Sequence, residues 1–393
     1  MISVTDAWQA MRRQAARLDP VRMPLAGALG RTLRVDARAD TDSPPFDASA
    51  MDGYAARRAD LSLPLRISRE IQAGDPLAGP LGAGECARVF PGAPVPPGAD
   101  CVVRQEDATR EGSLIRVVRR DGPVFIRRRG ENRRAGDLVV PAGTRLGPPE
   151  LAALAAIGVV HPEVTRAPRG VHFVIGNELV APDRTPSGAQ IRDSNSTLIA
   201  ALLADRGVEL TAQIHLRDDL PAARAAVATL PEHDVLLISG GASVGDHDIA
   251  RPLLETLGYT LHFQQVDLRP GKPLAFASRG ARLAFALPGN PVSHWVVFQL
   301  FVGPLLDHLQ TGAGAAPTIL PGRLAPGAKL PPPDPRPTYW PCRAAARDGA
   351  PELTPLSLAS SGDSGGLVGA NALLSLPPNS LDPTAPVGFI SCP

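Results

Sequence analysis

Few of the features that mark a secreted, membrane-spanning or nucleic-acid-binding chain occur in this sequence. Its four cysteines, Cys86, Cys101, Cys342 and Cys392, lie far apart with no Cys-x-x-Cys pair, so neither a zinc site nor a disulfide framework is implied. No apolar run approaches the ~18 residues that would span a bilayer, and no membrane partner is expected. Met1 to Pro20 sets its apolar residues at helical spacing with arginines between them, unlike the single apolar run of a secretory signal. A cytoplasmic location is the expectation. Lys plus Arg total 40 against 39 for Asp plus Glu, so net charge steers nothing toward a polyanion and no nucleic-acid partner is expected. Internal repeats and low-complexity segments are also missing.

What is present is a chain able to build cores. Its 393 residues, 44% hydrophobic and 20% charged, predict about two to four domains. Ser3 followed by Asp6 reads as a capping start, and Val4, Trp8, Met11, Ala15 and Leu18 repeat at helical spacing. Ser43 to Asp137 reads as a β-rich insertion of short alternating runs, such as Cys101-Val102-Val103-Arg104, broken by Gly and Pro. Gly147 to Gly158 turns helical again behind Pro148-Pro149, with Leu151, Leu154 and Ile157 on one face, and is expected to pack with the first helix. Residues 1-42 and 138-168 would then form a helical platform around a β-rich domain at 43-137.

From Val171 strands alternate with helices: Val171 to Ile175, Asn195 to Arg206, Thr211 to His215, Pro221 to Leu230, Val235 to Ile238, Leu283 to Leu287 and Val292 to Leu309. That order predicts parallel βαβ units in a three-layer α/β domain at 169-312. Sixteen prolines between Ala313 and Pro393 exclude long helices, so 313-393 is expected to form a small β-barrel or sandwich. The fold class is α/β multidomain.

Four stretches have the residue types that chemistry needs. Asp47 and Asp52 sit five residues apart in Pro44-Pro45-Phe46-Asp47-Ala48-Ser49-Ala50-Met51-Asp52-Gly53-Tyr54, where prolines stiffen the approach; from these residues alone, turn formers are the plainer reading of both acids. Ser239-Gly240-Gly241-Ala242-Ser243-Val244-Gly245-Asp246-His247-Asp248 follows a buried strand, where glycines let main-chain amides approach a phosphate and the acids suit Mg²⁺. A tight strand-to-helix turn would look the same. Arg269-Pro270-Gly271-Lys272-Pro273 and Leu287-Pro288-Gly289-Asn290-Pro291 place a lysine and a helix start at the same sheet edge, both favourable to an anion. The fourth is a patch of Arg127, Arg128, Arg129, Arg133 and Arg134, which would suit a small anion, although a solvated hairpin is the plainer reading.

Taken in order, Phe46-Asp47-x-Ser49-Ala50-Met51-Asp52-Gly53-Tyr54-Ala55, Gly92-Ala93-Pro94-x-Pro96, Gly98-Ala99-Asp100, Asp193-Ser194-Asn195, Ser239-Gly240-Gly241-x-Ser243-x-Gly245, Pro270-Gly271-Lys272-Pro273 and Leu287-Pro288-Gly289-Asn290-Pro291 resemble the successive signatures of the molybdopterin molybdenumtransferases, a family that includes the E domain of gephyrin. The resemblance runs from about residue 5 to residue 380. It implies four domains per subunit, the third with the molybdopterin-binding fold, and an elongated homodimer with its active site between subunits. The implied reaction cleaves adenylylated molybdopterin with a divalent cation, Mg²⁺, releases AMP, and delivers molybdenum from molybdate to the dithiolene.

By position the resemblance assigns Asp52, Glu178 and Asp248 to the cation and Lys272 to the phosphates. Gly240, Gly241, Ser243 and Gly245 would cradle the nucleotide or pterin phosphate, and Asp193, Asn195, Pro270, Gly271, Pro288, Gly289 and Asn290 would line the substrate site. Asp218 or Asp219 matches a further acid more loosely, and Ser364 a serine that the last domain brings to the cleft. Contact with a molybdopterin adenylyltransferase and with apo-molybdoenzymes is implied as well. The chain departs from the family pattern at Pro91, where a threonine is usual, and at Asn177, where an acid is usual. These departures leave open a second reading, a non-catalytic pterin-binding paralogue acting as carrier or scaffold.

Overall fold

Helix α1 (Val4–Gln14) begins where Ser3 Oγ accepts a hydrogen bond from the Asp6 amide at 3.0 Å, which satisfies one of the donors a helix start leaves open. Its apolar stripe, Ala7, Trp8 and Met11, is buried. The computed structural model describes residues 1–227, 230–241, 249–314, 316–347, 349–380 and 387–392. These fall into two compact units, one made of Met1–Arg22, Gly30–Thr32 and Glu163–Pro393, the other of Met23–Leu29 and Leu33–Pro162.

The second unit is built on a six-stranded mixed sheet of β1 (Gly53–Ala56), β2 (Leu65–Ile71), β3 (Glu85–Val89), β4 (Cys101–Arg104), β5 (Ala108–Glu111) and β6 (Leu114–Val117), in the order β4-β1-β3-β2-β6-β5. β1 is buried along its whole length, and alternation along the strand gives each face its own core: Tyr54 and Ala56 pack with Ile115, Ala55 with Val89 and Val102. Gly53 has no alternative, because a Cβ there would run into the Val103 carbonyl of β4. Helix α2 (Pro148–Ala156) closes this unit, with Glu150 accepting the Gly147 amide at 2.9 Å.

The first unit contains β7 (Arg169–Ile175), α3 (Asn195–Asp205), β8 (Glu209–Leu216), α4 (Leu220–Ala226), β9 (Val235–Ser239), α5 (Ala250–Thr256), β10 (Thr260–Phe263), β11 (Ala275–Arg279), β12 (Arg282–Leu287), α6 (Pro291–Val297) and α7 (Gly303–Thr311). Its sheet runs β8-β7-β9-β12-β11-β10. The first four strands are parallel, as the strand-helix alternation predicts, while β11 and β10 add an antiparallel edge that the alternation did not show. Short hairpin strands leave no crossover helix as a signal. Val292 to Leu309 is likewise not one α-helix, since a π-helical turn at Phe298–Val302 separates α6 from α7.

A closed five-stranded barrel completes the unit: β13 (Leu320–Leu324), β14 (Thr338–Arg347), β15 (Ala350–Pro355), β16 (Ala372–Leu376) and β17 (Val387–Ser391), ordered β13-β15-β14-β16-β17. Its Tyr339, Leu373 and Ile390 share one core with Phe285, Phe298 and Phe301. That same core holds Ala7, Trp8 and Met11, and Trp8 Nε1 donates to the Leu300 carbonyl at 3.1 Å. The stripe of α1 is thus covered within its own unit, by the π turn and the barrel.

Candidate active site

Strands β7, β9 and β12 end at one sheet edge, and the turns that follow them line a cleft of ≈ 1560 Å³. β7 leads to Asn177 and Glu178, β9 to Gly240 and Gly241, and β12 to Pro288, Gly289 and Asn290. Asp193 and Asn195 join them at the start of α3, with Asp218 after β8 and Gly362 and Ser364 from the barrel. Parallel strands put their connections to alternate sides at this edge, which leaves a crevice for ligands. A further groove of ≈ 640 Å³ shares Asp193 and Thr197 with the cleft and reaches Gln213 and His215.

The two turns adjoin. A Cβ built on Gly289 would lie 3.8 Å from Gly240 Cα, and one on Gly240 would lie 2.5 Å from the Ile175 carbonyl oxygen, at φ +83°. The Gly240 amide donates to the Leu287 carbonyl at 3.4 Å, so Gly240 contributes closeness of approach and not the free amide expected of a phosphate cradle. Gly240→Ala is expected to cost about 2 kcal/mol in urea denaturation. Gly84→Ala, at φ +69° but in open space, should cost less, and equal losses would remove the Ile175 contact as the cause.

Glu178 and Asp218 place two exposed carboxylates in the cleft wall. The Asn177 amide donates to Asp218 Oδ2 and the Asp218 amide to Asn177 Oδ1, both at 3.3 Å, so the amide that replaces an acid ties the two loops together. Among the described residues no group of three or more His, Cys, Asp or Glu is placed to hold a metal ion. Exposed carboxylates of this kind suit Mg²⁺, which keeps waters and phosphate oxygens in most of its positions, and would not suit an ion that needs an all-protein cage.

Other expected residues have structural duties. Asp193 Oδ1 accepts the Ser196 amide at 2.9 Å and caps α3. Asn195 Nδ2 donates to the Gly289 carbonyl at 2.6 Å, while its buried Oδ1 has no partner among the described residues. Asn290 Nδ2 donates to Ser361 Oγ at 2.8 Å and the Val292 amide to the Ser361 carbonyl at 3.1 Å. The barrel loop thus takes up the amide end of α6 that the sequence offered to an anion.

Of the Arg269 to Pro273 turn only Pro273 lines the cleft. Arg269 is drawn toward the barrel by the Pro332 carbonyl at 2.6 Å and by Asp334 at 3.7 Å. Gly271 is buried against Val297, and exposed Lys272 is outside the lining. Asp52 belongs to the second unit, where its carboxylate lies 3.9 Å from Arg88. Ser243, Gly245 and Asp248 lie outside the described residues.

The arginine patch is largely paired within that unit: Arg128 bonds Asp47, Arg129 bonds Asp42, both at 2.6 Å, and Arg127 bonds Asn132 at 2.7 Å. Burial works against the charge of Asp47, yet the Arg129 amide and the Arg128 guanidinium hold its carboxyl below the usual range.

Three family models match successive stretches: the MoeA N-terminal region (domain I and II) over residues 2–158, the probable molybdopterin binding domain over 172–308 and the MoeA C-terminal region (domain IV) over 323–383. A molybdopterin molybdenumtransferase of Nostoc sp. is 34% identical over 325 residues, 79% of this chain and 74% of the relative. This chain belongs to the molybdopterin molybdenumtransferase family. The family member of Haemophilus influenzae is 34% identical over 292 residues, 73% of this chain and 72% of its own. The crystal structure of the molybdopterin biosynthesis moea protein from Pyrococcus horikosii superposes with a TM-score of 0.83 at 27% identity, covering 100% of this chain and 99% of that one.

Beneath the cleft of this family member lies a buried polar group that sequence reasoning passed over, made of His172, Ser239 and His294. His172 Nε2 is 2.6 Å from Ser239 Oγ, which is 3.5 Å from His294 Nε2. Burial, aided by the neighbouring His294, pushes His172 down to about 3. Burial also takes His294 to about 4, against the opposing pull of the Pro288 carbonyl and Asp193. The available signal was a histidine inside an otherwise apolar strand, Val171-His172-Phe173-Val174, and another inside an apolar helix.

Proposed function

We propose that this chain finishes the molybdenum cofactor, taking adenylylated molybdopterin and molybdate, releasing AMP and leaving molybdenum on the dithiolene. The reading rests on one observation above others: a cleft at the carboxyl edge of the α/β sheet, walled by Glu178, Asp218 and two glycine turns, in a chain whose relatives are named molybdopterin molybdenumtransferases. The cleft has room for a nucleotide-sized ligand. Asn195 Oδ1 leaves an acceptor for its polar edge, and close backbone approach at Gly240 and Gly289 admits its phosphates.

Glu178 and Asp248, with Asp52, would hold Mg²⁺, which would supply positive charge beside the phosphates. Asp218 orients the Glu178 loop through Asn177. Lys272, next to Pro273 in the wall, reaches in on its flexible stem to the same phosphates. The main-chain amides of Gly241, Ser243 and Gly245 are assigned to the pterin or nucleotide phosphate. A homodimer in which Asp52 is supplied by either subunit, four domains at 1-42 with 138-168, 43-137, 169-312 and 313-393, a cytoplasmic location, and contact with an adenylyltransferase and apo-molybdoenzymes complete the proposal. No helix among the described residues is long and apolar enough to cross a membrane.

The carrier or scaffold reading is not favoured, since Asn177 has a structural use where it departs from the family and relatives of similar length are named as transferases. Incubating the purified chain with adenylylated molybdopterin, molybdate and Mg²⁺ is expected to release AMP and to activate an apo-molybdoenzyme. Tight pterin binding without AMP release would return the carrier reading.

A further inference from the structure

Donor and acceptor chemistry orders the buried polar group completely. Gln213 Nε2 lies 2.9 Å from His172 Nδ1 and also 2.9 Å from the Ser196 carbonyl. An amide nitrogen only donates, so His172 Nδ1 accepts and its proton sits on Nε2, which donates to Ser239 Oγ. At the other end the Pro288 carbonyl, 3.1 Å from His294 Nδ1, only accepts. His294 therefore bears its proton on Nδ1, and its Nε2 accepts a hydrogen bond from the Ser239 hydroxyl at 3.5 Å. One direction, from Gln213 through His172, Ser239 and His294 to Pro288, satisfies every link, and the two imidazoles are held as opposite tautomers.

Each point of attachment borders the cleft. Ser239 precedes Gly240 and Gly241, Pro288 precedes Gly289 and Asn290, and the Ser196 carbonyl lies in the first turn of α3 beside Asp193 and Asn195. Gln213 comes from β8, His172 from β7, Ser239 from β9 and His294 from α6, so the chain of bonds crosses three adjacent strands and a helix at the depth where the substrate walls begin. Both histidines and Ser239 are at most 1% exposed, so water does not compete for the bonds among these three, whereas Gln213 at the outer end is exposed.

We infer that His172, Ser239 and His294 are positioning residues: a one-way hydrogen-bond relay that holds the glycine turn, the Pro288 turn and the start of α3 at the spacing that the nucleotide moiety needs. The inference rests on the transferase reading of the cleft, and its test has one part that does not.

With ¹⁵N-histidine protein at pH 7, assigned with His172→Gln and His294→Gln, His172 should report the Nε2–H tautomer and His294 the Nδ1–H tautomer. AMP is the binding probe. Ser239→Ala, which removes both central links, should raise the Kd for AMP about tenfold while kcat falls by less than about threefold, because turns that shift together weaken binding more than they alter the reacting groups. Ser239→Thr, which restores the hydroxyl, should bring the Kd back to within about threefold of the parent.

Either histidine in the other tautomer, or an unchanged Kd for AMP in folded Ser239→Ala, overturns the relay. Should Ser239→Ala fail to fold, the tautomers of the parent protein decide. A parent protein that binds no AMP refutes the transferase reading and leaves the relay to be judged on its tautomers alone.

Discussion

Glu178→Gln is expected to lower kcat/KM for AMP release by on the order of 10²-fold, with Tm unchanged within about 1 °C. Glutamine keeps the length and shape of the side chain, so the loop held by Asn177 and Asp218 has no reason to move. What disappears is a charge at the cleft wall. Glu178 is exposed, and an exposed carboxylate contributes little to folding. Its carboxylate folds back over Gly176, where a Cβ would meet Oε2 at 2.8 Å, so it is already held near the turn that follows β7. The rate loss should shrink as Mg²⁺ is raised, since a weakened cation site is filled by mass action. Full activity of Glu178→Gln at limiting Mg²⁺ would remove Glu178 from the cation's ligands.

Acid should destabilise the first unit well above the pH at which carboxylates titrate. His172 and His294 are held down to about 3 and about 4 in the folded protein, whereas an unfolded histidine titrates near ~6.5. Their neutral burial is therefore fully favourable above about pH 6.5 and is lost as pH falls from there toward about 4, because the unfolded chain takes up protons that the folded one refuses. Two such groups give a loss of roughly 3 kcal/mol between pH 6.5 and pH 5. His233, also lowered by burial, acts in the same direction. Acids held low, such as Asp334 at about 2 through Arg336, lose their contribution only in stronger acid, which keeps the windows apart. Urea denaturation at pH 7, 6 and 5 measures the slope, and His172→Gln should reduce it by about 1 kcal/mol per pH unit over that range. A flat profile would mean that the histidines are not held neutral.

The alternation of apolar runs and helical periods made β7, β8, β9, β12 and α3 legible, since each is long enough to show its period and is joined by a crossover. Prolines after Ala313 made the barrel legible for a different reason, through the helices they forbid. β10 and β11 were hidden because a hairpin edge has no such punctuation. The π turn at Phe298–Val302 was hidden because a wholly apolar stretch has no amphipathic period to slip. At the cleft, the glycine turns and Glu178 were readable as motifs. Lys272 was readable too, but not the pull of Pro332 and Asp334 on Arg269 that carries its loop toward the barrel. The relay under the cleft was out of reach because its members lie 41 to 67 positions apart along the chain.

Trp8 donates to the carbonyl of Leu300, 292 positions later, which has a temporal consequence on the ribosome. The Leu33–Pro162 segment can complete its sheet as soon as it emerges, with contacts drawn from its own stretch, whereas the opening helix must stay undocked until the aromatic cluster around Phe298 has been synthesised. Over that interval its tryptophan stripe is bare, and this is the stage at which a chaperone, or a neighbouring nascent copy, would find the most adhesive surface.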